Sequence, residues 1–122
     1  MKIYYLDDEI ALCDIFEEFI SDNQTAVKTF SDANQAIEQC KIEPPDVMFI
    51  DYRLADTSGD KVASMLDGDI IKVLVTGELT LPDCSLFLDV VSKPFKLNEL
   101  KKKIESLRDK IRSDSKFRSD SK

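Results

Sequence analysis

The sequence predicts an α/β protein, a doubly wound five-stranded parallel sheet with helices on both faces, and three observations predict it. Five short segments rich in β-branched and aromatic residues recur at 2–6, 26–30, 46–50, 71–75 and 89–92. Each is followed by helix-like sequence, giving the order βα five times over. The runs Val47–Ile50 and Val73–Val75 are continuously apolar, as strands covered on both faces are, and right-handed crossovers then place helices on both sides. The 122 residues suffice for one domain with its own core and are too few for two.

The first helix is expected over 9–21, with Leu12, Cys13, Phe16, Phe19 and Ile20 on one face and acids in its first turns. Asp32 with Gln35 forms a capping-box pattern for a second helix that buries Ala33, Ala36, Ile37 and Cys40, and Pro44-Pro45 stops it. Asp60 is placed to cap a third helix carrying Val62, Ala63 and Leu66. Residues 78–88, around Pro82, carry a weak helical signal and make a shortened fourth helix. Leu97, Leu100, Ile104, Leu107 and Ile111 step by three and four, which sets a fifth helix from about 97 to 112. Residues 113–122, where Arg-Ser-Asp-Ser-Lys occurs twice around Phe117, are expected to form a flexible polar tail outside a domain of residues 1–112.

Composition removes several function classes. Apolar stretches are far shorter than a bilayer span, and Asp7-Asp8-Glu9 interrupts the N-terminal segment before a secretion signal develops. Cys13, Cys40 and Cys84 fit neither a disulfide framework nor a metal-binding Cys pair, which suits a reducing cytoplasm. With no histidine, chemistry must rest on carboxylates, hydroxyls and lysine. The net charge of −7 is uneven: residues 1–95 hold 7 Lys+Arg against 19 Asp+Glu, and residues 96–122 hold 10 against 5. An acidic body of this kind argues against nucleic-acid binding.

In doubly wound sheets ligands bind at the carboxyl ends of the strands. Asp7 and Asp8 follow the first strand, Asp51 the third, Thr76-Gly77 the fourth and Lys93-Pro94 the fifth. Carboxylates gathered there repel by about 3 kcal/mol per pair at ~5 Å and an effective dielectric near ~20, so the cluster calls for a cation. Oxygen-only donors favour Mg²⁺, which is commonly completed by a phosphate oxygen. An Asp carboxylate accepts a phosphoryl group once a metal and a lysine neutralise the equatorial oxygens, which makes Asp51 the candidate nucleophile.

Asp7-Asp8, Asp51, Val75-Thr76-Gly77 and Ser92-Lys93-Pro94-Phe95 together resemble the signature of response-regulator receiver domains of two-component signalling, over about residues 1–112. The resemblance implies a flavodoxin-like sheet of strand order 2-1-3-4-5. It implies Mg²⁺ held by Asp8, Asp51 and the Arg53 backbone carbonyl, with Asp7 acting partly through water. Asp51 would become the aspartyl phosphate, Thr76 and Lys93 would each contact a phosphoryl oxygen, and Gly77 would leave the acceptor accessible. The Lys93-Pro94 bond would be cis. A histidine kinase or phosphotransfer protein would donate the phosphoryl group, and output would pass to a downstream protein through a monomer or weak dimer. Self-catalysed phosphorylation and dephosphorylation would be its only chemistry, not turnover as an enzyme.

The sequence also departs from that pattern. Val90 stands where a switch aromatic is usual, Ala55 replaces a loop proline although Gly59 is retained, and sixteen residues separate Thr76 from Lys93, about a helical turn fewer than is typical. Arg53 and Glu78 lie two residues beyond Asp51 and Thr76, where a pair would slow loss of the phosphoryl group. Two alternatives remain at this level. One is a degenerate receiver that binds partners regardless of phosphorylation. The other is an aspartyl-phosphate phosphohydrolase, against which Asp51-Tyr52-Arg53 lacks a second acid.

Overall fold

The computed structural model describes residues 1–77 and 85–120, with side chains as far as residue 113. Its strands form where the apolar runs fall: β1 (Lys2–Leu6), β2 (Ala26–Phe30), β3 (Val47–Asp51), β4 (Ile71–Thr76) and β5 (Asp89–Ser92). They pair in parallel in the order β2-β1-β3-β4-β5, the arrangement expected. β3 is buried at all five positions, which is why its sequence shows no alternation.

Helices α1 (Ile10–Ile20), α2 (Ala33–Ile42), α3 (Gly59–Ser64) and α4 (Leu97–Asp120) complete the described residues. Two apolar clusters sandwich the sheet. Cys13, Phe16 and Ile20 of α1 meet Leu100, Ile104 and Leu107 of α4 over Tyr5 and Phe49. On the other face Ala36 and Cys40 of α2 and Val62 and Ala63 of α3 cover Tyr4, Met48 and Ile50. The alternate residues of β1 thus divide between the two layers, as the strand period of two dictates.

Several local expectations change. Glu9 is the extended N-cap of α1, not a first-turn acid, and no acid lies in that first turn. Phe19 is 44% exposed at the margin of the helix's apolar face. Asp32 caps α2 by accepting from the Asn34 amide at 3.4 Å, one residue short of the amide a capping box uses. Ser58, not Asp60, is the N-cap of α3, and Asp60 sits in the first turn where a negative charge suits the helix dipole. The expected fourth helix falls largely outside the described residues, and 85–88 form turn and bend. α4 is the helix expected to end near 112, but it continues to Asp120. Among the described residues no helix is long and apolar enough to cross a membrane.

Candidate functional site

The parallel sheet gathers the chemically competent residues at one rim. Asp7 leaves the end of β1 with its amide bonded to the Phe30 carbonyl at 3.0 Å. Asp51 ends β3 in register with Val75, and Thr76 ends β4 in register with Ser92. Lys93 follows β5, its amide held by the Thr76 carbonyl at 3.0 Å. Asp7, Asp51 and Thr76 are buried, while Asp8 is exposed. Four of the sequence-predicted residues therefore reach the same rim by backbone pairing, and Asp8 follows Asp7 there.

One carboxylate oxygen from each of Asp7, Asp8 and Asp51 lies within 4.8 Å of the others. Between two of these acids stands the Lys93 ammonium, 2.8 Å from Asp7 Oδ2 and 3.1 Å from Asp51 Oδ1. Burial lifts the Asp51 carboxyl to about 6; the Lys93 hydrogen bond opposes this and the neighbouring Asp7 charge adds to it. Burial also works against the charge on Lys93, but its hydrogen bonds to Asp7 and Asp51 outweigh that penalty and hold its pKa above the usual range. The three acids form a donor set of hard oxygens, two of them from buried residues. Such a set fits Mg²⁺ better than a softer ion.

Two contributors were missed in the sequence. The Tyr5 hydroxyl donates to Asp7 Oδ2, and burial followed by that hydrogen bond pushes the phenol far above its ordinary pKa, so it remains a donor. Tyr5 precedes Asp7 by two, and the strand period was the available signal. Glu9 holds Asp7 through its amide, 2.9 Å from Oδ1, and brings Oε1 to 3.8 Å from Lys93 Nζ. The side chain of Asp7 is thus fixed by Tyr5, Lys93 and the start of α1.

The loop after Asp51 is shaped by Gly59. Its amide donates to the Tyr52 carbonyl at 2.8 Å, and a Cβ there would lie 2.6 Å from the Asp51 carbonyl oxygen. Arg53 lies in the same loop, bridged to Ser58. At Gly77 a Cβ would meet nothing nearer than Lys93 Cβ at 4.0 Å. The Lys93-Pro94 peptide is cis. Val90, in register with Leu74, is half-buried and lines a cavity of about 210 Å³ with Pro94 and Leu100. Glu78, the expected partner of Arg53, lies outside the described residues, as does Cys84.

The sequence profile of the response regulator receiver domain matches residues 3–105. No curated protein matches the chain. Among solved structures, a CheY-like receiver domain from Methylobacillus flagellatus is 22% identical with a TM-score of 0.79, covering 88% of this chain and 98% of that one. The response regulator TrrA from Thermotoga maritima, in complex with Mg²⁺ and BeF, is 21% identical with a TM-score of 0.78, covering 87% and 97%. The receiver domain of Ssk1 from Saccharomyces cerevisiae, crystallised with the histidine phosphotransfer protein Ypd1, is 20% identical with a TM-score of 0.75, covering 85% and 86%.

Proposed function

The chain belongs to the response regulator receiver domain family of two-component signalling, and from that membership we propose that Asp51 accepts a phosphoryl group and that the protein signals through the phosphorylated state. The observation that carries this reading is the Lys93 ammonium bridging two buried carboxylates, with a third carboxylate oxygen within 4.8 Å. An ordinary turn aspartate does not hold a half-buried cation between itself and a distant strand.

The donor is a phosphohistidine on a histidine kinase or phosphotransfer protein, the kind of partner with which the Ssk1 receiver was crystallised. An Asp51 carboxylate oxygen attacks phosphorus, the phosphorus–nitrogen bond breaks, and the imidazole of the donor leaves. Asp8, Asp51 and the Arg53 carbonyl, with Asp7 assisting, would hold Mg²⁺, which would supply positive charge to the phosphoryl oxygens. Lys93 supplies a second cation and Thr76 a hydroxyl donor, so the chain's own groups stabilise charge where it develops. Tyr5 and Glu9 orient Asp7. Gly77 keeps the approach to Asp51 open, and Pro94 fixes the turn that presents Lys93.

Loss of the phosphoryl group needs an in-line water, and Arg53 with Glu78, two residues beyond Asp51 and Thr76 in the sequence, would together slow it. Residues 1–112 make up the receiver unit, with 113–122 outside it. Signalling is a population shift: the phosphorylated form has a different affinity for a downstream protein. With Val90 in place of an aromatic, that shift does not pass through a rotating ring at this position.

Incubation with Mg²⁺ and a small acyl phosphate, followed by intact-mass analysis, tests the reading. One phosphoryl group is expected on the parent and none on Asp51→Asn. Equal labelling of both, or no labelling of the parent, overturns it.

A further inference from the structure

At the end of the sheet opposite Asp51, a groove of about 680 Å³ opens between α2 and α3. Ile37, Leu66 and Ile70 give it an apolar lining, and Met65, 64% exposed, stands at its lip. Three acids, Asp46, Asp67 and Asp69, line it as well. Two cations face them: Lys41, and the buried Lys72, whose ammonium donates to the carbonyls of Asp67 and Ile70. The groove is therefore apolar within and net negative around it.

The chain carries a segment of the opposite character. Beyond Ile111 its only large apolar residue is Phe117, set between Lys116 and Arg118 and flanked by the two Arg-Ser-Asp-Ser-Lys copies. Four cations against two acids in residues 112–122 make it net positive. An aromatic ring between two cations complements an apolar groove with an acidic margin.

The fold brings that segment to the correct end of the sheet but to the wrong face for its own groove. Arg108 donates to Thr25 Oγ1 at 2.5 Å, just before β2 begins, and Ile111 and Met1 both pack against the α1–α4 cluster. α4 thus reaches the end of the sheet where Asp46 and Ile70 precede β3 and β4. It lies on the α1 layer, whereas the groove belongs to the α2–α3 layer. Continuing as a helix to Asp120, the backbone carries position 117 about 9 Å past Ile111, away from its own sheet.

We propose that residues 113–122 of one copy dock Phe117 into the α2–α3 groove of a second copy. Groove and segment occur on every chain, so two such contacts exchanged reciprocally close a two-fold dimer without a free end. This interface is separate from the Asp51 rim and does not depend on its phosphorylation.

Sedimentation equilibrium of the full chain over a range of concentrations tests the proposal. A monomer–dimer equilibrium is expected that weakens with added salt. Phe117→Ala and Met65→Lys should each raise its Kd at least ~10-fold with unchanged circular dichroism, Met65 being 64% exposed. An equimolar mixture of the two variants regains one intact contact and should associate more tightly than either alone. A parent that stays monomeric throughout, a dimer indifferent to both substitutions, or a mixture that gains nothing would each overturn it.

Discussion

Lys93 Nζ lies 3.1 Å from Asp51 Oδ1 and is joined to it across two strand ends, with 16% of the lysine side chain and 6% of the aspartate side chain exposed. The same ammonium reaches Asp7, whose side chain is fully buried. Replacing Lys93 by Met would leave two buried carboxylates facing each other without compensation. Removing one partner of a buried pair costs ~3–5 kcal/mol, so urea unfolding without divalent ions should show a loss of that order. Adding Asp51→Asn to Lys93→Met should recover part of it, since one uncompensated charge is then gone. An unchanged urea midpoint in Lys93→Met would mean that the bridge contributes nothing.

Two glycines near the site should answer differently to a methyl group. At Gly59 a Cβ meets the Asp51 carbonyl oxygen at 2.6 Å, a backbone atom that cannot swing aside. Gly59→Ala should cost ~1–3 kcal/mol and slow phosphorylation, because relief of the clash must move the strand end that carries Asp51. Gly77→Ala, with its nearest neighbour at 4.0 Å, should leave stability within ~0.5 kcal/mol of the parent. Thermal unfolding and labelling rates of the two variants side by side measure the contrast.

Asp89 offers a pH test away from the acidic cluster. Burial raises its pKa, but the hydrogen bond from Lys103 at 2.8 Å and the Val90 amide outweigh it and leave the carboxyl below its usual value. A depressed folded pKa contributes stability that is present above the unfolded value and is lost as pH falls through the folded one. NMR titration should place the Asp89 midpoint below 3.8, and Lys103→Ala should move it upward. A midpoint that ignores Lys103→Ala would remove the ion pair as its cause.

Burial pushes the Cys40 thiol up to about 11, against a small opposing effect of Lys72. Thiolate is the reactive form, so alkylation of Cys40 at neutral pH should run at least ~100-fold slower in the native protein than in urea. Mass mapping of iodoacetamide adducts over time checks it, and comparable rates in the two states would show that the α2 layer opens readily.

Glu78→Ala should shorten the lifetime of the phosphorylated protein if Glu78 and Arg53 hinder water together. Decay followed by intact mass after removal of the donor gives the rate, and equal rates in variant and parent would exclude the pair.

The rim was legible in the sequence because its residues follow the apolar runs directly, and a parallel sheet brings all such ends to one side. Asp7, Asp8, Asp51, Thr76 and Lys93 needed only that rule. The period of two puts Tyr5 on the same face as Asp7, but a tyrosine within an apolar strand reads as core, and its hydroxyl acquires a role only once the side chain after the strand turns back toward it. Phe19 was misplaced because the stripe drawn on α1 was wider than the face that the sheet covers; its ring sits instead near the Lys101 ammonium. The end of α4 was set at 112 because the apolar stripe stops at Ile111, whereas a helical backbone continues on propensity after its packed face has ended.

The most direct test of Asp51 as phosphoacceptor is borohydride reduction of the protein after treatment with a small acyl phosphate and Mg²⁺, followed by peptide sequencing in the mass spectrometer. An aspartyl phosphate is reduced to homoserine, which marks the residue that carried it. Homoserine is expected at position 51 and nowhere else. Homoserine at position 7 or 8, or at no position in a protein that has taken up phosphate, would contradict it.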